Sequence, residues 1–313
     1  MMSEVLHGGG VERAARAWRC GAREVLDLST GVHPERDPDG LRVWLAEHAD
    51  LVQRYPDPEG EPARSALAEA LDLSSDRVLI VAGAQSVVDR LFDHWPVESI
   101  AIGDPEYEEV ERCASRVGVD VRSTPIGTPF APADATWVTS PNSHTGESPT
   151  APTGIHDVLD ESYASLERRR RNNDLNCLRI GSLTKTFSMP GLRLGYVVGS
   201  PDQLAPIRER QPPWPAPTVA LHLLPERLPR WKELDALARE DVDRLEALLC
   251  AAGWEVSSRG PSFILVEGGD PSKFDHERIL VRRYPRKSCL SAKVRIGLPG
   301  TGEEWARLER ALR

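Results

Sequence analysis

Between residues 77 and 160 the chain alternates short apolar runs with stretches of helical spacing. "RVLIVAG" (77–83) predicts a buried strand, and "AQSVVDRLFDHW" (84–95) predicts a helix with Val87, Val88, Leu91, Phe92 and Trp95 on its apolar side. "SIAIGDP" (99–105) predicts the next strand and "EYEEVERCASRVG" (106–118) the next helix. "VDVRSTP", "ATWVTSP" and "GIHDVLD" continue the series. Such a rhythm predicts βαβ units: an α/β fold with a mostly parallel sheet between helical layers, an αβα sandwich.

Beyond residue 210 the pattern changes. "QPPWPAPTVALHLLP" (211–225) is proline-rich and reads as a domain junction. "RWKELDALAREDVDRLEALLCAAG" (230–253) predicts one long amphipathic helix closed by Gly253. "SFILVEG" (262–268), "RILVRR" (278–283) and "KVRIGL" (293–298) predict strands, and "TGEEWARLERAL" a closing helix. The expected division is an N-terminal arm or small-domain segment over 1–30, a large domain over 31–215 and a smaller α/β domain over 216–313. The run Arg168–Arg171 reads as a solvated helix face.

Composition narrows the function. With 39 basic and 48 acidic side chains the net charge is -9, which speaks against a general nucleic-acid partner. The sequence holds no apolar run long enough for a membrane helix, and "MMSEVLHGGGVERAARAW" lacks a basic-then-apolar leader pattern. The 5 cysteines are scattered without CxxC spacing, and the 8 histidines show no ligand spacing. No disulfide framework and no metal are expected, and a reducing, cytoplasmic setting is.

The segment "SLTKTFSMPGLRLGY" (182–196) carries the chemistry. Lys185 lies among small and apolar residues, where an amine can be held neutral and attack a carbonyl. The best-known partner of such a lysine is pyridoxal 5'-phosphate. That cofactor needs a lysine for its aldehyde, a carboxylate at its ring nitrogen, a cationic fork and hydroxyls at its phosphate, and an aromatic face on its ring. Ser182, Lys185 and Arg193 can supply the groups that meet its aldehyde and its phosphate. Asp160 ends an apolar strand run, where a parallel sheet opens its crevice, and Tyr163 follows within reach of the ring hydroxyl oxygen.

"DESY" (160–163) followed by "SLTKTFSMPGLRLGY" resembles the fold-type I aminotransferases of classes I and II. The likeness is strongest to the threonine-phosphate decarboxylase branch of cobalamin biosynthesis, near the histidinol-phosphate aminotransferases. "HGGG" (7–10), "DLSTGVHP" (27–34), "RYPD" (54–57), "RQPPW" (210–214) and "RILVRR" extend it along the chain. The resemblance implies an aminotransferase-like large domain that binds the cofactor. Lys185 would bond the aldehyde, Asp160 would face the ring nitrogen and Tyr163 the ring oxygen, these three being the catalytic set. Ser182, Arg193, and Gln85 with Ser86 of "GAQS" would hold the phosphate. Tyr107 would stack on the ring, and Tyr55 would reach the phosphate from the other subunit of a homodimer with a shared active site. His7, Gly8, Arg283, Lys293 and Arg295 are the substrate-binding candidates.

Three departures from the family pattern stand out. The family's asparagine-proline-threonine-glycine turn reads Ser143-His144-Thr145-Gly146, so the ring-oxygen contact falls to Ser143 or to Asn142. The stretch between Gly146 and Asp160 is short and proline-rich, which predicts a crossover helix missing or cut to one turn. The arginine that binds the substrate carboxylate aligns with Lys293, and Arg295, two residues on, is expected on the same strand face. The resemblance implies decarboxylation of L-threonine O-3-phosphate to (R)-1-aminopropan-2-yl phosphate. The alternatives are an aminotransferase acting on another amino acid or amino-acid phosphate, and a non-catalytic relative that binds the cofactor.

Overall fold

The structure is a computed structural model that describes residues 8–286 and 288–313. Its contacts divide the chain into two units. The larger holds residues 35–143 and 148–235, and the smaller holds residues 8–34, 144–147 and 236–313.

The larger unit is built on a seven-stranded sheet in the order Val78–Val81, Gly195–Val198, Leu178–Ser182, Val158–Asp160, Ala135–Thr139, Ser99–Asp104, Asp120–Pro125. Every neighbouring pair is parallel except the two that Gly195–Val198 makes. Alternation along the strands feeds two cores. Val78, Ile80, Tyr196 and Val198 face one, packed by Leu67 and Leu71 of helix Ala63–Leu71 and by Leu221 and Leu224 of helix Thr218–Arg227. Leu79, Val81, Val197, Ile100, Ile102 and Trp137 face the other, packed by helices Gln85–Leu91 and Glu108–Arg116. This is the expected sandwich with its mostly parallel sheet.

Three expectations need correction. The proline-rich stretch 211–225 is not a junction. Ala216, Ala220, Leu221, Leu223 and Leu224 are buried in the first core, so the unit continues through residue 235 and the change comes well after the expected 215/216. The larger unit likewise begins at residue 35 instead of 31. The arginine run is a solvated face only in part: Arg170 and Arg171 are exposed, Arg168 is half-buried and Arg169 is buried. Arg169 is 1% exposed, donates to the carbonyls of Ala164 and Ser182, and lies over the Tyr196 ring. Arg168 bonds the hydroxyls of Ser140 and Ser148, and Arg170 bonds the Ala70 carbonyl.

The reading of the 140–157 connection agrees with the structure: no helix forms between Ala135–Thr139 and Val158–Asp160. Pro141, Pro149 and Pro152 lack the N–H that a helix interior needs. A groove of about 720 Å³, lined by Ile126, Phe130, Thr136, Val138, Ala151 and Asp157 among others, lies along this connection.

The smaller unit carries a five-stranded sheet in the order Leu26–Leu28, Ile279–Arg283, Val294–Gly297, Phe263–Glu267, Glu255–Gly260. Its first pair is parallel and the rest antiparallel. Val242, Leu245 and Leu249 of the long helix Trp231–Ala251, with Trp305 and Leu308 of Gly302–Leu312, cover one face. Among the described residues no helix is long and apolar enough to cross a membrane.

Candidate active site

The cofactor candidates lie in the larger unit, and the sheet explains why they converge. Gly83 to Ser86 follow strand Val78–Val81, Glu106 and Tyr107 follow Ser99–Asp104, and Asn142 and Ser143 follow Ala135–Thr139. Asp160 and Ser182 end their own strands. These strands share one direction, so all of these residues emerge at the C-terminal edge of the sheet, where α/β folds hold their ligands.

Lys185 Nζ stands 4.7 Å from the centroid of the Tyr163 ring. Asp160 is buried, and the Ser162 N–H donates to its Oδ1 at 2.8 Å. Burial raises the Asp160 carboxyl above the usual carboxylate range, opposed by Ser162 and by the charge of Lys185. Ser182 Oγ lies 2.6 Å from Thr184 Oγ1, both buried. Arg193 adopts a left-handed backbone, φ 52°, and donates from Nη1 to the Pro190 carbonyl at 3.2 Å. Its guanidinium rests on Gly83, where φ is +78° and an added Cβ would stand 2.8 Å from Nη2. Ser86 Oγ donates to the Gly83 carbonyl at 2.8 Å. Gln85 Nε2 donates to Asp89 at 3.0 Å and to Glu109 at 3.4 Å.

Tyr107 is half-buried against the second core, just before helix Glu108–Arg116. Asn142 is 1% exposed and its Nδ2 donates to the Pro105 carbonyl at 2.9 Å, so it braces the turn that leads into Tyr107. Ser143, next along, is half-buried. Tyr55 is 78% exposed, and its ring lies 4.5 Å from that of Trp214. Asp89, Glu109 and Cys113 bring ligand-type atoms within 4.8 Å of one another, but Arg112 pairs with both carboxylates, and burial with the Asp89 hydrogen bond pushes the Cys113 thiol up to about 11.

The substrate-binding candidates belong to the smaller unit. His7 lies outside the described residues. Gly8 packs on Ser29 so closely that a Cβ would stand 2.4 Å from the Ser29 carbonyl oxygen, and the Gly9 N–H donates to Ser29 Oγ at 2.8 Å. Arg295 is 3% exposed, donates from Nη2 to the Ser29 carbonyl at 2.8 Å and lies over the Phe263 ring. Gly8 and Arg295 therefore meet at one residue. Lys293 lies just before the strand that carries Arg295. The strand starts at Val294, the Lys293 N–H closes a turn onto Leu290, and its Nζ lies 3.9 Å from Glu267. Arg283 is held by Asp275 and the Pro271 carbonyl.

Two features escaped the sequence reading. Glu161, beside Asp160, points into the interior, where it accepts from Arg179 and from the Tyr196 hydroxyl. Glu106 accepts from Thr139 Oγ1 at 2.5 Å and from the Tyr107 N–H at 2.7 Å. The adjacent "DE" was the one local sign of the first; nothing local marked the second.

These residues fit the cofactor. Lys185 stands over the Tyr163 ring and its charge acts on the buried Asp160 carboxyl, and the Arg193 guanidinium rests on Gly83 where a Cβ would meet it. Comparisons with known proteins agree. The family model "Aminotransferase class I and II" matches residues 137–312. A histidinol-phosphate aminotransferase of Mycobacterium bovis is 30% identical over 281 residues, 79% of this chain and 74% of that protein. A threonine-phosphate decarboxylase of Pseudomonas aeruginosa is 29% identical over 339 aligned positions, 98% of this chain and 96% of that protein. The fold is shared with the histidinol-phosphate aminotransferase of Sinorhizobium meliloti solved with pyridoxal-5'-phosphate, at TM-score 0.77 and 16% identity over 97% of this chain and 93% of that one. The chain belongs to the class I and II aminotransferase family and is a pyridoxal 5'-phosphate-dependent enzyme.

Proposed function

We propose that the enzyme decarboxylates a phosphorylated amino acid, L-threonine O-3-phosphate, releasing carbon dioxide and (R)-1-aminopropan-2-yl phosphate, the step that cobalamin biosynthesis uses. When bound, the cofactor draws electrons from whichever bond at the substrate Cα stands perpendicular to its ring. The protein decides which bond that is by holding the substrate's charged ends. A carboxylate clamped in the ring plane leaves the Cα–H bond upright; a carboxylate left unclamped can stand upright itself.

The observation that carries this reading is the state of Lys293. By the resemblance it would stand where the family has its carboxylate-binding arginine; it sits in a turn beside Glu267 and offers a point charge in place of a planar fork. Arg295, buried beside Ser29 and Gly8, is the cation we assign to a substrate anion. The near-complete overlap with the Pseudomonas decarboxylase supports the same choice.

In this proposal Lys185 bonds the aldehyde and moves a proton at the substrate Cα. Asp160 faces the ring nitrogen, Tyr163 donates to the ring oxygen beside Ser143, and Tyr107 stacks on the ring. Arg193, Ser182 and Ser86 hold the phosphate. Tyr55, exposed on Trp214, reaches the phosphate of a second subunit in a homodimer that works in the cytoplasm. The second reading is transamination, favoured by the 30% identity to the Mycobacterium protein. Incubation of the holoenzyme with a panel of amino acids and their phosphates decides between them. Carbon dioxide with an amine phosphate is expected from threonine phosphate; a keto acid without gas release would establish the second reading instead.

Gly83 provides a separate check on the phosphate cradle. Gly83→Ala adds a methyl group against Arg193 at a left-handed position. Loss of one charge-assisted contact, about 1.5–3 kcal/mol, should weaken cofactor binding roughly 10–100-fold in a fluorescence titration. Unchanged affinity would remove Arg193 from the phosphate site.

A further inference from the structure

Glu106 lies two residues past the C-terminal end of strand Ser99–Asp104 and has no part in the assignment above. It stands one residue before Tyr107, and two donors converge on its Oε1: the Thr139 hydroxyl at 2.5 Å and the Tyr107 N–H at 2.7 Å. Thr139 is the register partner of Asp160 on the adjacent parallel strand. The hydrogen bond from Thr139 therefore fixes Glu106 beside the strand end that carries the ring-nitrogen carboxylate. Glu106 also lines the groove of about 720 Å³ along the helix-free connection 140–157, together with Thr139 and Asn142. That groove gives its carboxyl a route for proton exchange.

We propose that Glu106 is a positioning residue for the cofactor's ring nitrogen, acting through Asp160: held by Thr139, its carboxylate adds a second negative charge that keeps the ring nitrogen protonated. The inference rests on the cofactor site described above and not on the choice between decarboxylation and transamination.

The groups facing Glu106 set the sign of its pH dependence. Burial pushes its carboxyl up to about 7; the Asp160 charge adds to this, and the Thr139 and Tyr107 donors oppose it. Asp160 in turn feels Lys185 and Glu161. Asp157 lines the same groove, and Asp104 and Glu108 flank Glu106 along the chain. Above about pH 7 Glu106 is ionised and its negative charge adds to the ring-nitrogen site. Below it Glu106 takes a proton from solvent in the groove, and its charge no longer acts on the ring-nitrogen site. Removing the Thr139 donor would move the Glu106 midpoint higher, because that bond favours the ionised form.

The test loads the enzyme with cofactor labelled with ¹⁵N in its ring and follows that nitrogen's chemical shift from pH 6 to 10. Glu106→Gln keeps an acceptor for Thr139 and loses the charge. Its ring nitrogen is expected to lose its proton about 1 pH unit lower than in the wild type, the lower end of the shift a charge at this range produces. Thr139→Val keeps Glu106 and should fall between the two; it carries the test alone if the glutamine variant does not fold. A ring nitrogen that titrates identically in the wild type and in every variant that folds overturns the inference. Absence of any bound-cofactor signal in the wild type would instead overturn the cofactor site itself.

Discussion

Lys185→Ala is expected to give a colourless protein after reconstitution and dialysis, with turnover reduced at least about 10⁴-fold. A positioned general base alone contributes up to about 10⁴-fold, and this lysine has a second task as the covalent anchor. Groups that act together in this way lose nearly all of their joint effect when one is removed. The fold should survive. Lys185 is half-buried, its recorded ring contact is with Tyr163, and the apolar side chains that pack the segment, Leu183, Phe187 and Leu194, stay in place. A visible-range spectrum, circular dichroism and a turnover assay on the same sample check all parts. Retained colour together with retained turnover would contradict the assignment.

The second large effect is on stability. Glu161 and Arg179 are 0% and 1% exposed. Arg179 donates to both Glu161 oxygens, at 2.9 and 3.2 Å, and Tyr196 Oη donates to Oε1 at 2.7 Å. Arg179 also donates to the Arg169 carbonyl at 2.7 Å and to Asn173 Oδ1 at 3.0 Å. Glu161→Ala leaves the guanidinium charge in the interior without its counter-ion and strips the Tyr196 hydroxyl of its acceptor. Breaking such a pair from one side costs about 3–5 kcal/mol. The urea midpoint should fall accordingly with the slope unchanged. Replacing Glu161 and Arg179 together with apolar residues of similar volume should recover most of the loss, since the desolvation of both charges disappears with them. A Glu161→Ala protein within about 1 kcal/mol of the wild type would show that the network does not hold the strands together.

The same network explains what the sequence hid. Strands Val78–Val81, Ser99–Asp104 and Ala135–Thr139 were legible because their apolar runs are uninterrupted and turn residues bound them. Leu178–Ser182 and Gly195–Val198 were not, since one carries Arg179 and Gly181 and the other opens on Gly195. A buried arginine looks like a strand breaker until its partner, Glu161 just past the end of the neighbouring strand, is known. The arginine run misled for the same reason: Arg169 is buried because Ala164, Ser182 and Tyr196 receive it, and no local pattern records that. Thr218–Arg227 was obscured by prolines at both ends, although Leu221 and Leu224 gave it an apolar face.

The cofactor cluster was more legible than the substrate end. Lys185, Ser182 and Arg193 belong to one contiguous motif, and Asp160 and Tyr163 to another, so local sequence alone marks them as candidates. Glu106 owes its place to the register of three parallel strands and leaves no local trace. Lys293 and Arg295 were ambiguous because strand alternation puts both on one face, while the strand begins between them.

The account depends on a covalent link between the cofactor and one lysine. Borohydride reduction of the reconstituted protein fixes that link, and peptide mass analysis locates it. The account predicts a reduced pyridoxyl adduct on Lys185, in the peptide that holds residues 182–196. An adduct on another lysine, or none after saturation with cofactor, would contradict it.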